Sequence, residues 1–128
     1  MALPDAVALV VSYLDGLHPT LTVSSEVPSP RPGEFIQVRR VGGAGLPPVR
    51  DVARLDIFTW STGGPAAMAL GNTIRAEVFA LARTTLLGIQ CYRVEETLFR
   101  QFDDELTNQA RCWGTYALTL RADEILPA

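Results

Sequence analysis

The chain has 128 residues, 48% of them hydrophobic and 20% charged, a balance that predicts a globular protein and excludes a disordered chain. This length predicts a single domain over residues 1–128 that folds without a metal ion or a disulfide. The net charge of -3 excludes a general basic field for nucleic acid, and no segment approaches the roughly 20 apolar residues of a membrane span.

The first half of the chain predicts one helix and three strands. A short amphipathic helix begins near Asp5, repeats apolar residues at helical spacing and ends near Gly16. Alternating side chains predict strands over residues 20–24 and 34–41, which a proline-rich break separates. A third strand is predicted over residues 51–61, with apolar side chains on both of its faces near the end.

A glycine-rich segment connects the second and third predicted strands. Its glycine and proline content favours neither helix nor sheet, so we expect a projecting hairpin loop. The residues of this loop are Gly42, Gly43, Gly45, Leu46, Pro47 and Pro48. They do not match a phosphate-binding loop, because such a loop leads from a strand into a helix and ends in lysine.

The second half predicts one long helix and two strands. Apolar residues form a stripe over residues 67–85, and Gly88 is well placed to cap this helix. Strands over residues 89–99 and 110–121 follow, and the second alternates most clearly. The order α-β-β-β-α-β-β predicts an α+β domain of two layers, a mostly antiparallel sheet with both helices on one face.

The other face of that sheet is expected to be uncovered, and Phe58, Trp60 and Trp113 are candidates for it. If the second and third strands pair, four arginines form a basic cluster, namely Arg39, Arg40, Arg50 and Arg54. Three interpretations stay open for this cluster: surface salt bridges with Asp51 and Asp56, a protein interface, or nucleic-acid contact. Arginine and aromatic side chains together favour an interface.

No residue set in the sequence predicts catalysis, a metal site or a cofactor. His18 is the only histidine, and its place before a proline predicts a surface turn residue. The three successive acidic residues 103–105 favour a solvated turn over divalent-ion binding, because neighbouring side chains do not converge on one substrate.

The two cysteines are predicted to be reduced. In a hairpin centred near Asp104, Cys91 falls opposite Ala117 and Cys112 falls opposite Glu96. That separation prevents a disulfide.

The N-terminal residues also lack the regions of a signal peptide, so we expect synthesis in the cytoplasm.

Several stretches of the sequence resemble a known family. Residues 31–43, RPGEFIQVRRVGG, and residues 51–60, DVARLDIFTW, look like the tail terminator proteins of long-tailed phages that infect actinobacteria. Residues 114–122, GTYALTLRA, are similar to the end of those proteins. All eleven basic residues are arginine, which fits a GC-rich phage genome as well as selection for interface contacts.

The resemblance implies a structural virion protein at the head–tail junction and no enzymatic activity. Tail terminators close into a ring, generally a hexamer, on the last ring of the tail tube and stop its polymerisation. The implied partners are other copies of the chain, the tail tube protein and a head-side connector or neck protein, while DNA passes through the lumen without specific binding. In such a ring we expect the three aromatic residues and four arginines named above at the lateral contact, and the glycine-rich loop at a neighbouring subunit or at the next ring.

Two alternatives stay open. Another head–tail connector ring protein of a phage would have a similar size and fold, but would bind the portal or an adaptor instead of the tube. A small-molecule-binding or enzymatic α+β domain would need a pocket with converging polar groups, which the sequence does not display.

Overall fold

The computed structural model describes residues 5–46 and 50–121. The elements are α1 (Ala6–Leu17), β1 (Thr22–Ser24), β2 (Phe35–Leu46), β3 (Arg50–Ser61), α2 (Gly64–Phe79), β4 (Thr84–Leu86), β5 (Ile89–Gln101) and β6 (Ala110–Arg121). The predicted α+β class and element order are confirmed, with β4 as an additional short strand. Within the described ranges, no helix has the length and apolarity needed to cross a membrane.

The described strands form one six-stranded sheet in the order β1-β2-β3-β6-β5-β4. Every neighbouring pair is antiparallel except β1 and β2, which run parallel. Parallel neighbours cannot be joined by a tight turn. Residues 25–34, which connect β1 to β2, therefore run back along the sheet before β2 begins.

The main core lies between the helices and one face of the sheet, which we call the inner face. Alternate residues of β3 and β6 point into it, and both helices contribute a buried stripe. Its largest fully buried side chains include Leu14, Ile36, Leu55, Ile74, Tyr116, Leu118 and Leu120. Each such side chain stabilises the fold by about 1.5–3 kcal/mol on burial. The opposite face of the sheet is called the outer face below.

The glycine-rich segment is paired strand and not a loop. The loop prediction is wrong for four residues that lie in β2: Gly42, Gly43, Gly45 and Leu46. Pro47 and Pro48 lie outside the described residues. Gly43 has a φ of 117°, and a Cβ there would stand 1.9 Å from the carbonyl oxygen of Val52. A β-bulge lies just before this position, between Arg40 and Gly42. Any residue with a Cβ at position 43 would block the strand pairing that glycine permits here.

The β5–β6 hairpin has a different register from the predicted one. Cys91 pairs with Leu120 and Cys112 with Gln101, in place of the predicted Ala117 and Glu96. Two irregularities in β5 and a long turn over residues 102–109 produce the shift. Both cysteines are buried and free, and burial raises the pKa of each thiol. Buried thiols of this kind are poor nucleophiles.

Substitution of Gly71 tests the packing of α2 against β6. A Cβ at Gly71 would lie 2.7 Å from the sulfur of Cys112, so Gly71→Ala should destabilise the fold by about 1–3 kcal/mol despite the better helix propensity of alanine. A Cβ at Gly16, near the end of α1, meets nothing within 4 Å. Gly16→Ala should instead stabilise by about 0.5 kcal/mol. Urea unfolding of both variants checks this, and equal effects would contradict the packing.

Candidate interface on the outer face of the sheet

A second, smaller apolar cluster lies on the outer face. It contains Phe35, Phe58 and Trp60, with Trp113 and Val27 packed against it. Phe35 stacks on Trp60 with ring centroids 5.0 Å apart, and Phe58 stacks on Trp113 at 5.7 Å. These are direct cross-strand pairs in the β2–β3 and β3–β6 ladders. Such pairs are the units that stabilise a sheet face.

The expectation that Phe58, Trp60 and Trp113 are uncovered is wrong for the two that lie in β3. Trp60 is 2% exposed and Phe58 is 4% exposed, whereas Trp113 is partly buried. Two segments cover the cluster. Residues 25–34 cross it because of the parallel β1–β2 pair, and the turn over residues 102–109 brings Phe102 edge-on to Trp113 at 5.3 Å.

Three guanidinium groups also lie over the cluster, and we call Arg31, Arg39 and Arg111 the arginine layer. Arg111 lies 4.6 Å from the ring centroid of Phe58 and 4.9 Å from that of Trp60. Arg31 lies 5.0 Å from Trp60, and Arg39 lies 5.3 Å from Phe58. These distances are within the range of cation–π attraction. The rings therefore do not form the outer surface; their arginine cover does.

The electrostatics of the arginine layer are balanced by the neighbouring turn. Burial lowers the pKa of Arg111, an effect that Asp104 opposes and Arg39 increases. Arg31 lies 3.4 Å from Asp104 and donates a hydrogen bond of 3.0 Å to Thr107. The predicted solvated turn is thus partly structural, because its central carboxylate holds Arg31 in place.

The indole N–H groups of Trp60 and Trp113 are buried and have no hydrogen-bond acceptor among the described residues. A buried unpaired donor costs about 1–3 kcal/mol. The stacked rings and the arginine cover offset this cost, since each aromatic side chain removes a large apolar area from water.

The predicted arginine cluster is divided between the two faces. Arg40 points to the inner face, where its guanidinium forms two hydrogen bonds of 2.8 and 2.9 Å with the fully buried carboxylate of Asp51. Arg39 points outward and lies 3.9 Å from Asp56. Arg40 and Arg39 therefore form ion pairs with the two aspartates that the salt-bridge interpretation names, but both carboxylates are buried and do not lie on the surface. Alternation along β2 separates them, because successive side chains point to opposite faces.

Arg50 and Arg54 lie at the other end of the outer face. Arg50 stands over the ring of Tyr92 at 4.9 Å, and Arg54 is exposed beside Ala117. A groove of about 250 Å³ opens here, which we call the trough. It is lined by Arg50, Val52, Arg93, Glu95, Ala117 and Thr119. Short side chains form its floor, and long charged side chains form its rim.

His18 is not a free surface residue. Its Nε2 lies 2.8 Å from both carboxylate oxygens of Glu77, which joins the end of α1 to α2. In the described part of the chain, no three His, Cys, Asp or Glu side chains group closely enough to hold a metal ion. The converging polar and aromatic groups of this protein lie on the outer face.

The sequence reasoning missed Arg31 and Arg111. Arg111 lies directly opposite Trp60 in the β3–β6 ladder, so the alternation of β6 already placed it on the face of Trp113. No periodic pattern in the sequence indicates the position of Arg31. It belongs to an irregular segment, whose position follows from packing and not from periodicity.

The arginine layer makes a specific prediction about side-chain chemistry. Arg111→Lys keeps the charge but loses the planar group that stacks on two rings, so we expect a loss of about 1–2 kcal/mol in the free energy of unfolding. Arg54→Lys, on the exposed part of β3, is the matched control and should change stability little. Chemical unfolding followed by tryptophan fluorescence measures both, and equal losses would contradict the stacking role.

The acidic turn makes a prediction about pH. A hydrogen bond from Thr107, with smaller help from Arg31, lowers the pKa of Asp104 below its ordinary value of 3.8. Its contribution to stability is therefore complete above pH 3.8 and disappears as the pH falls through the lower folded value. Asp104→Asn should be less stable than the wild type at neutral pH, and the difference should shrink in acid. Asp103→Asn is the matched control, and a gap that stays constant with pH would refute this role.

Comparison with known proteins finds similar solved structures. No known family matches the sequence, and no curated protein matches it. The fold is similar to that of a chain in the solved virion of a native gene transfer agent (GTA) particle, with a TM-score of 0.62 and 16% sequence identity. The match covers 94% of this chain and 96% of that chain. At this identity the likeness shows a shared fold.

Proposed function

We propose that this chain is a structural protein of a phage-type virion. The observation that carries the proposal is the fold match to a gene transfer agent virion chain, which extends over 94% of this chain and 96% of the other. The resemblance of residues 31–43, 51–60 and 114–122 to phage tail terminators supports the same role. Under this proposal the chain acts by binding other proteins and catalyses no reaction.

Within the virion, the proposed role is that of the tail terminator. Copies of the chain form a ring, a hexamer by the family resemblance, which caps the tail tube at the head–tail junction and ends its polymerisation. The partners are the tail tube protein on one side and a head-side connector protein on the other. DNA passes through the lumen without specific binding.

The outer face supplies features that suit such a ring. A closed ring with head-to-tail contacts needs two different patches on each subunit. The end of this face that holds the arginine layer also carries the acidic residues 103–105, whereas the opposite end carries the trough with its arginine rim. Phe58 and Trp60 then contribute to the lateral contact indirectly, because they hold Arg39 and Arg111 at the surface.

The second candidate is another head–tail connector ring protein of the same class of virion. The fold match supports it equally, since it is a match to a chain of a virion and does not state the role of that chain. The two roles differ in the partner. A terminator binds the tail tube, whereas a connector binds the portal or an adaptor on the head.

Assembly with and without this chain decides between the two roles. Particles lacking it should carry overlong tails, and those containing it should show a ring of this chain at the head-proximal end of the tube by cryo-electron microscopy. Supplying the wild-type chain in trans should restore normal length. Normal-length tails with density only on the head side would favour the connector, and absence of the chain from particles would contradict both.

A further inference from the structure

The trough is surrounded by positive charge. Arg50 lies directly opposite Arg121 in the β3–β6 ladder, and Arg54 lies two residue pairs beyond the trough floor at Val52. Like charges directly opposite each other destabilise a sheet unless a counter-charge is supplied. Arg93 adds a further guanidinium at the rim, where it is paired with the adjacent Glu95. The trough therefore favours an acidic occupant.

The other end of the sheet carries a projecting acidic turn, which we define as residues 102–109. Leu106 is 94% exposed there, and the neighbouring Asp103 and Glu105 are also exposed. Asp104 accepts hydrogen bonds from the backbone and side chain of Thr107, which holds the turn in one shape. A large exposed apolar side chain that directly follows three acidic residues on a fixed turn is suited to enter a shallow basic groove.

We propose that the acidic turn of one copy of this chain docks in the trough of a second copy, with Leu106 over Val52 and Ala117. Charge complementarity carries the inference, because Asp103 and Glu105 would meet the arginine rim. The contact joins opposite ends of two sheets, so it is heterologous and repeats from subunit to subunit. The inference rests on the proposed function for its setting, since it names the lateral contact of that ring.

The contact must be between copies and not within one. The trough and the turn lie at opposite ends of β6, separated by the nine residue-to-residue steps from Ala110 to Thr119. At about 3.3 Å per residue this is roughly 30 Å, too far for the turn to reach the trough of its own chain. A second copy supplies a partner for both features.

A second copy also fits the trough better than nucleic acid does. Phosphates would engage the arginine rim but leave the short, partly apolar floor of Val52 and Ala117 unfilled. The acidic turn supplies both components, since its carboxylates reach the rim and its leucine fills the floor.

Disulfide trapping tests the contact. Both native cysteines are buried, so Leu106→Cys and Thr119→Cys each add one accessible thiol. When the two variants are mixed and oxidised, we expect a cross-linked dimer that forms about tenfold faster than with the control pair Leu17→Cys and Thr119→Cys. Leu17 is 49% exposed, lies at the end of α1 and is not part of the acidic turn. Equal rates for the two pairs would overturn the proposal.

A charge exchange makes the test specific. Glu105→Arg in the Leu106→Cys copy should slow the cross-link, and Arg50→Glu in the Thr119→Cys copy should restore its rate. High salt should slow the wild-type pair. If Glu105→Arg slowed the cross-link and Arg50→Glu did not restore its rate, the proposed pairing of charges would be overturned. Urea unfolding of each variant shows that the fold is kept.

Two other occupants of the trough are outcomes that overturn the proposal. One is protection of the Thr119→Cys thiol by duplex DNA, with no cross-link between copies. The other is an intrachain disulfide between Thr119→Cys and Ile125→Cys, which would assign the trough to residues 122–128 of the same chain. The experiment needs no tails. A ring on tails without the cross-link contradicts this inference alone, and a cross-link from a chain absent from tails contradicts the proposed function alone.

Discussion

The β3–β6 ladder is the constraint on which the rest of the structure depends. Twelve residues of each strand pair without interruption, from Arg50 with Arg121 to Ser61 with Ala110. Alternation along this central pair assigns each side chain to one face. The inner face receives the aliphatic residues that pack under the helices, and the outer face receives Phe58, Trp60 and Trp113.

No described helix covers the rings of the outer face, so other groups must shield them from water. The parallel β1–β2 pair solves part of this, because its connection over residues 25–34 crosses the rings. The arginine layer covers the remaining ring surface. A guanidinium is planar and weakly hydrated, so it can lie on an aromatic face and still present charge to a partner. The absence of lysine from the chain is consistent with this use of arginine, since an ammonium group cannot stack.

The same arrangement explains how one sheet face can serve an assembly protein. Its two ends differ: one holds the acidic turn and the arginine layer, and the other holds the basic trough. A surface with complementary ends associates head to tail, whereas a surface with identical ends forms closed pairs. In the proposed ring, folding and assembly therefore share residues, because Asp104 shapes the turn that Leu106 projects from.

The sequence by itself determined the α+β class, the element order and the face to which each residue of β3 and β6 belongs. These follow from local periodicity, which is why the alternation of β3 and β6 placed Phe58, Trp60 and Trp113 on one face. Only the tertiary structure decided which of these rings were covered, how far the glycine-rich strand continued, and that His18 would meet Glu77 across 59 residues. Strand register, bulges and the path of an irregular segment depend on contacts between residues far apart in the chain, and those contacts leave no periodic pattern in the sequence.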